Sequence, residues 1–475
     1  MISPHIPALR RGRAYESLDK TNITDCRTGA VLATVSQVNA GIIRKDLSKI
    51  GAGRAALKGL SVERLLEICR EAGEHFVNGT LAVGDRTQTP REYVEMLSAS
   101  SGLPHVLVRR NMAKIQDALT NMRVILNGLT RGLDLSVLDR SAERPSASRL
   151  CFYAATDCLG LVMPSNSPAV NSLWLPAIAL KIPVVIKPGR EEPWTPYRLI
   201  QAFIAAGCPA EAFGFYPTDH EGAGEVLRSC GRALIFGDKA TTSAYAGNPA
   251  IQAHGPGFSK ILIGEDEIER WPEFIEVIAS AISDNGGRSC INASAVVVPR
   301  YAAEIADTLG KRLGPIEPLA SDDENARLSG FANVKMADFI DGSIEEGLKT
   351  AGATEVTAGY RQGPRKVVFQ GGVYLRPTIV LCESFGHPLA NREFLCPYAS
   401  VVTVPQGEML KVIGPSLAVT AITKDRKFIE ELIECPLIDR LNIGPVSTMK
   451  VSWDQPHEGN MFEFLYRRRS LENCG

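Results

Sequence analysis

Cys290 ends the run Asn285-Gly286-Gly287-Arg288-Ser289-Cys290, which follows a strongly helical stretch and precedes the strand-like ASAVVVP. Small residues leave the backbone free to present a sulfur and main-chain N–H groups to one substrate. A thiol so placed can attack a carbonyl carbon, and the resulting tetrahedral oxygen needs donors already in position. The other reading of a single cysteine is a small buried apolar side chain. Asn166 offers a donor: Pro164 and Pro168 stiffen Pro164-Ser165-Asn166-Ser167-Pro168, so its amide points reproducibly, either at a substrate oxygen or back as a helix cap. Lys187 closes the apolar run IPVVIKP, where an ammonium reaches a cofactor ribose or solvent. His254, in Ala253-His254-Gly255-Pro256-Gly257, carries a ring whose ordinary pKa is near 6.5 and reads as a base or as a structural side chain.

The elements that must position these residues fall into two textures. Up to about Gly132 the chain reads mainly as helices, with Leu65, Leu66, Cys69 and Phe76 on one stripe of ERLLEICREAGEHFV. A polar excursion over 134–148 follows. From Cys151 short β-rich runs alternate with helices: CFYAATDCLGLVMP, SLWLPAIAL, IPVVIKP, PYRLIQAFIAAG, FGFYP and ALIFGD. A second unit follows with KILIG, the helix PEFIEVIASAISD, ASAVVVP, GVYLRPTIVL, YASVVTVP and the helix RKFIEELIECP. Such alternation implies parallel sheets with helical crossovers, an α/β class. Gly51, Gly53 and Ala56 loosely fit a dinucleotide fingerprint, but no apolar strand precedes them, so they read as helix packing.

At 475 residues the chain exceeds one core and implies two or three domains. Lys+Arg of 52 against Asp+Glu of 53 gives no global field for nucleic acid or anionic membrane, and neither is expected as a partner. Eleven cysteines form no CxxC pair and have no companion histidines at ligand spacing, so reduced thiols in a cytoplasm are expected and no metal is. The N-terminus lacks the apolar run of about 7 to 15 residues of a signal peptide. The most apolar stretch, 173–186, is broken by Pro176, Lys181 and Pro183, and no membrane span is expected.

Three distant segments, VMPSNSPAVNSLWLPAIALKIPVVIKPG, SDNGGRSCINASAVVVP and GVYLRPTIVL with NREFLCPYASVV, resemble in order and spacing the aldehyde dehydrogenase superfamily. The resemblance runs from about Cys151 to Ser400. It implies a Rossmann-like cofactor domain over 1–133 and 151–263, and a catalytic α/β domain over 264–447. A small β excursion over 134–150, with the tail 448–475, would join subunits into a homodimer or homotetramer. It further implies Cys290 as nucleophile and Asn166 as oxyanion donor, with the Cys290 N–H as the second. NAD or NADP would be held by Lys187 at a ribose, by Pro164 and Ser165 of the proline-asparagine loop, and by Glu393 with Phe394 at the nicotinamide ribose. Gly237 would lie at the pyrophosphate turn, in Phe236-Gly237-Asp238-Lys239, with Asp238 where the family has serine.

Departures from the family pattern sharpen the reading. Arg288 replaces a glutamine beside the nucleophile, and Arg190 replaces a ribose-binding glutamate, which suits a 2′-phosphate and hence NADP. Ala253-His254-Gly255-Pro256-Gly257 lacks the glutamate that activates water in hydrolytic members and resembles instead CoA-acylating aldehyde dehydrogenases and acyl-CoA reductases. The resemblance therefore implies reversible oxidation of an aldehyde through a Cys290 thioester, with coenzyme A as cosubstrate and an aldehyde or acyl thioester as partner. The alternatives are a hydrolytic enzyme using His254 or a distant carboxylate, and an inactive binding scaffold of the same fold.

Overall fold

The computed structural model describes residues 4–139 and 150–471. Most of the polar excursion, 140–149, and the end of the tail, 472–475, lie outside the described residues.

Two seven-stranded sheets organise the chain. The first is built from β1 (Ala8–Arg10), β2 (Arg13–Tyr15), β3 (Leu159–Val162), β4 (Val184–Lys187), β5 (Phe213–Phe215), β6 (Arg232–Phe236) and β7 (Ile251–His254). Its order is β7-β6-β3-β4-β5-β1-β2, parallel from β7 to β5 and antiparallel at the β1–β2 edge. The second holds β8 (Lys260–Ile263), β9 (Ala295–Val298), β10 (Ala353–Glu355), β11 (Thr378–Cys382), β12 (Tyr398–Thr403), β13 (Ser416–Ile422) and β14 (Ile438–Ile443). Its order is β10-β11-β12-β9-β8-β13-β14, with β10 alone antiparallel to its neighbour. The β3, β8, β9 and β13 runs are buried at every position, as parallel strands covered on both faces must be.

Helices cover these faces: α1 (Val62–Asn78), α2 (His105–Thr120), α3 (Met122–Thr130), α4 (Trp194–Ala205), α5 (Lys239–Ser243), α6 (Ile275–Ser283) and α7 (Val334–Leu348). In α1 the Ser61 hydroxyl accepts from the Arg64 N–H, and Leu65, Leu66, Cys69 and Phe76 form the expected buried stripe. No helix among the described residues is long and apolar enough to cross a membrane.

Three expectations differ from the structure. Residues 4–36 are largely strand: His5–Ile6, Lys20–Thr24 and Val31–Ser36 form a small sheet, and β1 and β2 extend the first large one. These strands are only two to six residues long, too short to show a period. SLWLPAIAL, grouped with the β-rich runs, is a 3₁₀ turn leading into a short helix, Leu175–Ala179, buried on all sides. GVYLRPTIVL is two strands split before Pro377: Gly372–Leu375 pairs in a hairpin, and β11 joins the second sheet. Gly51–Lys58 is a helix, as its missing strand implied, and Gly53 lies against the Glu211 carbonyl.

Candidate active site

The parallel strands of the first sheet end at one edge. There β3 runs into Pro164-Ser165-Asn166, β4 ends on Lys187, β6 runs into Gly237 and β7 ends on His254. The second sheet meets this edge with the opposite ends of its strands: Cys290 lies ahead of β9, and Glu393 and Phe394 lie ahead of β12. Residues 255–259 carry the chain straight from the end of β7 to the start of β8. A cavity of about 930 Å³ opens between the two edges, and Asn166, His254, Cys290, Glu393, Phe394 and Glu458 all line it. Pro164, Ser165 and Gly237 line it too, whereas Lys187 and Arg190 do not reach its wall.

Asn285, Gly286 and Gly287 each adopt a positive φ, which turns the chain from α6 into the nucleophile loop. A side chain at Gly287 would strike the Cys396–Pro397 backbone, so glycine there lets the nucleophile loop rest on the Glu393 segment. The Asn285 amide donates to Ser167 Oγ at 3.2 Å, Ser167 donates to Asn111 Oδ1 at 3.1 Å, and Asn111 donates to Asn285 Oδ1 at 2.8 Å. This ring ties α2, the proline-asparagine loop and the nucleophile loop together. Asn166 Nδ2 donates to the Arg288 carbonyl at 2.9 Å, and Ser259 Oγ donates to the Cys290 carbonyl at 2.9 Å. Asn166 is thus anchored on the nucleophile loop itself.

Burial pushes the Cys290 thiol well up, the Glu458 and Glu393 carboxylates add to the rise, and the Cys290 backbone and Arg440 oppose it. Arg288 is not aimed at the sulfur: its guanidinium is buried and donates to the Ser101 carbonyl at 2.8 Å and the Gly330 carbonyl at 3.3 Å. Glu393 is pushed up to about 7 by burial, against the Phe258 N–H, which donates to its Oε2 at 2.6 Å. Lys260, fully buried, is pushed down to about 7 by burial and opposed by Glu393, and it donates to the Phe258 carbonyl and Ser416 Oγ. Phe394 meets Tyr398 edge to face at 4.9 Å.

On the cofactor side, Lys187 is half-buried at the end of β4. Its pKa is lowered by burial and by Arg190, and Glu191 opposes the shift. Arg190 is exposed, and the carboxylate that lines the cavity there is Glu191. Asp238 caps α5, accepting from the Thr241 N–H at 2.8 Å, which holds its carboxyl below the usual range. The ammonium, the Gly237 backbone and the carboxyl edge of a parallel sheet fit a dinucleotide. Asp238 does not fit a pyrophosphate at the α5 N-terminus, where its carboxylate already takes the free N–H.

The His254 ring stacks on Phe236 at 4.5 Å, and its Nδ1 lies 2.7 Å from Glu458 Oε2. That contact is at ion-pair distance but off the line of a hydrogen bond, and both ring nitrogens are shielded from solvent. Glu458 comes from the far end of the chain. Gln252 donates to its carbonyl at 3.2 Å, and Gly459, at φ +71°, lies so close to Gln252 that a side chain there would collide. Asn460 donates to the Leu129 carbonyl at 2.8 Å. The segment around Ala253-His254-Gly255-Pro256-Gly257 therefore does have a carboxylate beside it. Sequence reasoning missed Glu458, Asn111 and the cavity-lining Lys114, because each is a polar residue in a stretch with no motif.

Fold and site together define an α/β protein with a thiol set opposite a nucleotide-type crevice between two mostly parallel sheets. The chain belongs to the aldehyde dehydrogenase family, whose profile matches residues 88–412. A Staphylococcus haemolyticus protein assigned as an aldehyde dehydrogenase is 24% identical over 302 residues, covering 60% of this chain and 62% of that protein. The Escherichia coli 5-carboxymethyl-2-hydroxymuconate semialdehyde dehydrogenase is 23% identical over 394 residues, covering 80% of this chain and 79% of its own. Among solved structures, aldehyde dehydrogenase 21 of Physcomitrella patens, in complex with succinate, superposes with a TM-score of 0.77 at 17% identity over 100% of both chains. The succinate-semialdehyde dehydrogenase of Burkholderia pseudomallei gives a TM-score of 0.75 at 16% identity over 98% of each. Such likenesses support the α/β aldehyde dehydrogenase fold.

Proposed function

We propose that this chain oxidises an aldehyde with NAD or NADP through a thioester on Cys290, and that water, activated by Glu458, releases a carboxylate. The observation that carries this reading is the Glu458 carboxylate, partly exposed, in the same cavity as Cys290 and held 2.7 Å from His254. The missing glutamate beside Gly255 had favoured transfer to coenzyme A, and a carboxylate supplied from elsewhere removes that ground. The relatives named as semialdehyde dehydrogenases support the same class of reaction.

In this mechanism the Cys290 thiol gives its proton to solvent and adds as the thiolate to the aldehyde carbon, and the Cys290 N–H and the Asn166 amide receive the oxyanion. A bound oxidised dinucleotide would supply the hydride acceptor for that carbon, and loss of the hydride leaves the acyl group on Cys290 as a thioester. Glu458 then takes a proton from water as the oxygen attacks the acyl carbon, and the Cys290 thiolate leaves. His254 is shielded from solvent and acts as a positioning residue, its ring fixing Glu458. Lys187, Glu393 and Phe394 would hold the dinucleotide, and Arg190, exposed outside the cavity wall, would be free to meet a 2′-phosphate.

The same reading keeps 1–133 with 151–263 as the cofactor domain and 264–447 as the catalytic domain. Residues 134–150 and 448–475 serve subunit contact in a homodimer or homotetramer. Strand Tyr466–Ser470 pairs antiparallel with Leu150–Ala154 within the chain, which joins the two segments and supports this reading. The test is turnover of an aldehyde panel with NAD or NADP, with and without coenzyme A, reading reduced nicotinamide and acyl product together. Carboxylate formed without thiol is expected. Acyl-CoA formation with negligible carboxylate would restore the acylating reading.

A further inference from the structure

One side of the cavity lies between α2, α3 and the returning segment 449–461. Ile125, Leu129, Met449, Val451 and Trp453 make it apolar. Trp453 Nε1 donates to Asp117 Oδ2 at 2.5 Å and Asn121 donates to Asp117 Oδ1 at 2.9 Å, so this carboxylate is occupied, and the other carboxylate of the wall, Glu458, lies against His254. One turn before Asp117 on the same face of α2 stands Lys114. It lines the cavity with its side chain open to solvent, and among the described residues it makes no hydrogen bond or ion pair. Asp284 and Arg110 act on it only at longer range, and the surrounding protein lowers its pKa. Its ammonium, facing the cavity without a protein partner among the described residues, is free to pair with a ligand anion beside the apolar side chains of this wall.

We propose, resting on the aldehyde reading above, that Lys114 is a specificity residue that binds a carboxylate at the far end of the substrate, so that the preferred aldehydes are ω-carboxy aldehydes. The apolar wall takes the methylene chain, Cys290 takes the carbonyl carbon, and Lys114 takes the terminal anion. Asp117, already bonded twice, remains as a like charge nearby and disfavours a second carboxylate on the same substrate.

The test pairs succinic, glutaric and adipic semialdehydes with butanal, pentanal and hexanal, in wild type, Lys114→Met and Lys114→Arg. Wild type should favour the acid over the alkanal of equal length at one chain length at least, in kcat/KM. Lys114→Met should lower that ratio about ten- to hundredfold, mainly through KM, and Lys114→Arg should restore part of it. Calorimetry of succinate, glutarate and adipate binding, in the same variants, reads the site without turnover. Turnover of alkanals with no acid preference, or a ratio indifferent to Lys114, overturns the proposal and leaves the dehydrogenase reading standing. No turnover of any aldehyde, with Lys114-dependent dicarboxylate binding, overturns the dehydrogenase reading and keeps the site.

Discussion

Glu458→Gln should separate the two halves of the reaction, because in the proposed mechanism this carboxylate acts on Cys290 and on water with opposite consequences. Its negative charge helps raise the Cys290 thiol, after burial and ahead of Glu393. Neutralising it lowers that pKa, so thioester formation should proceed at least as fast as in wild type. Deacylation loses its general base, which typically forfeits about 10²–10⁴-fold, or about 2.7–5.4 kcal/mol at 1.36 kcal/mol per decade. Glutamine keeps the shape, so the Gln252 contact to the backbone at 458 should survive. Rapid mixing with aldehyde and cofactor should then show a burst of about one reduced nicotinamide per site, followed by a steady phase slowed by at least two decades. Iodoacetamide labelling of Cys290 should shift to lower pH in the variant. A steady-state rate within threefold of wild type would refute the assignment of the base. Loss of the burst along with the steady rate would refute the separation of roles.

Cys290→Ala should abolish turnover while leaving dinucleotide affinity nearly unchanged, as read by fluorescence titration; activity within a few-fold of wild type would remove the nucleophile from the mechanism. Glu192 is fully buried, accepts from the Thr195 N–H and hydroxyl, and is pushed up to about 8 by burial. A carboxyl raised in the folded state contributes stability below its unfolded pKa, near 4.5, that is lost as pH rises through about 8. Glu192→Gln should therefore gain melting temperature relative to wild type at pH 8 to 9 far more than at pH 5, and an equal change at both would show that Glu192 is not held neutral. Arg190→Glu should lower the NADP-to-NAD ratio of kcat/KM by about tenfold or more, since a charge-assisted contact to phosphate is worth roughly 1.5–3 kcal/mol; an unchanged ratio would place Arg190 in solvent.

What the sequence determined by itself is what short stretches encode. Apolar runs such as 184–186 and Ala295–Val298 are strands because nothing in them tolerates water, and their alternation with helices defines the α/β class. The small-residue turn before Cys290 and the proline-stiffened turn around Asn166 carry their conformations locally, and together with the resemblance to aldehyde dehydrogenases they let both candidates be named without coordinates. The edge strands between His5 and Ser36 left no such mark, since they are short and acquire their structure by pairing with distant partners. Electrostatic neighbours left even less. His254 meets Glu458, Asn111 closes a ring with Ser167 and Asn285, and Arg288 turns away from the thiol to two backbone carbonyls. Each of these contacts joins residues far apart in the chain, and a single polar side chain has no periodicity that names its partner. The folding of the 449–461 segment onto the end of β7 is what brings the Glu458 carboxylate into the cavity that Cys290 and Lys114 line.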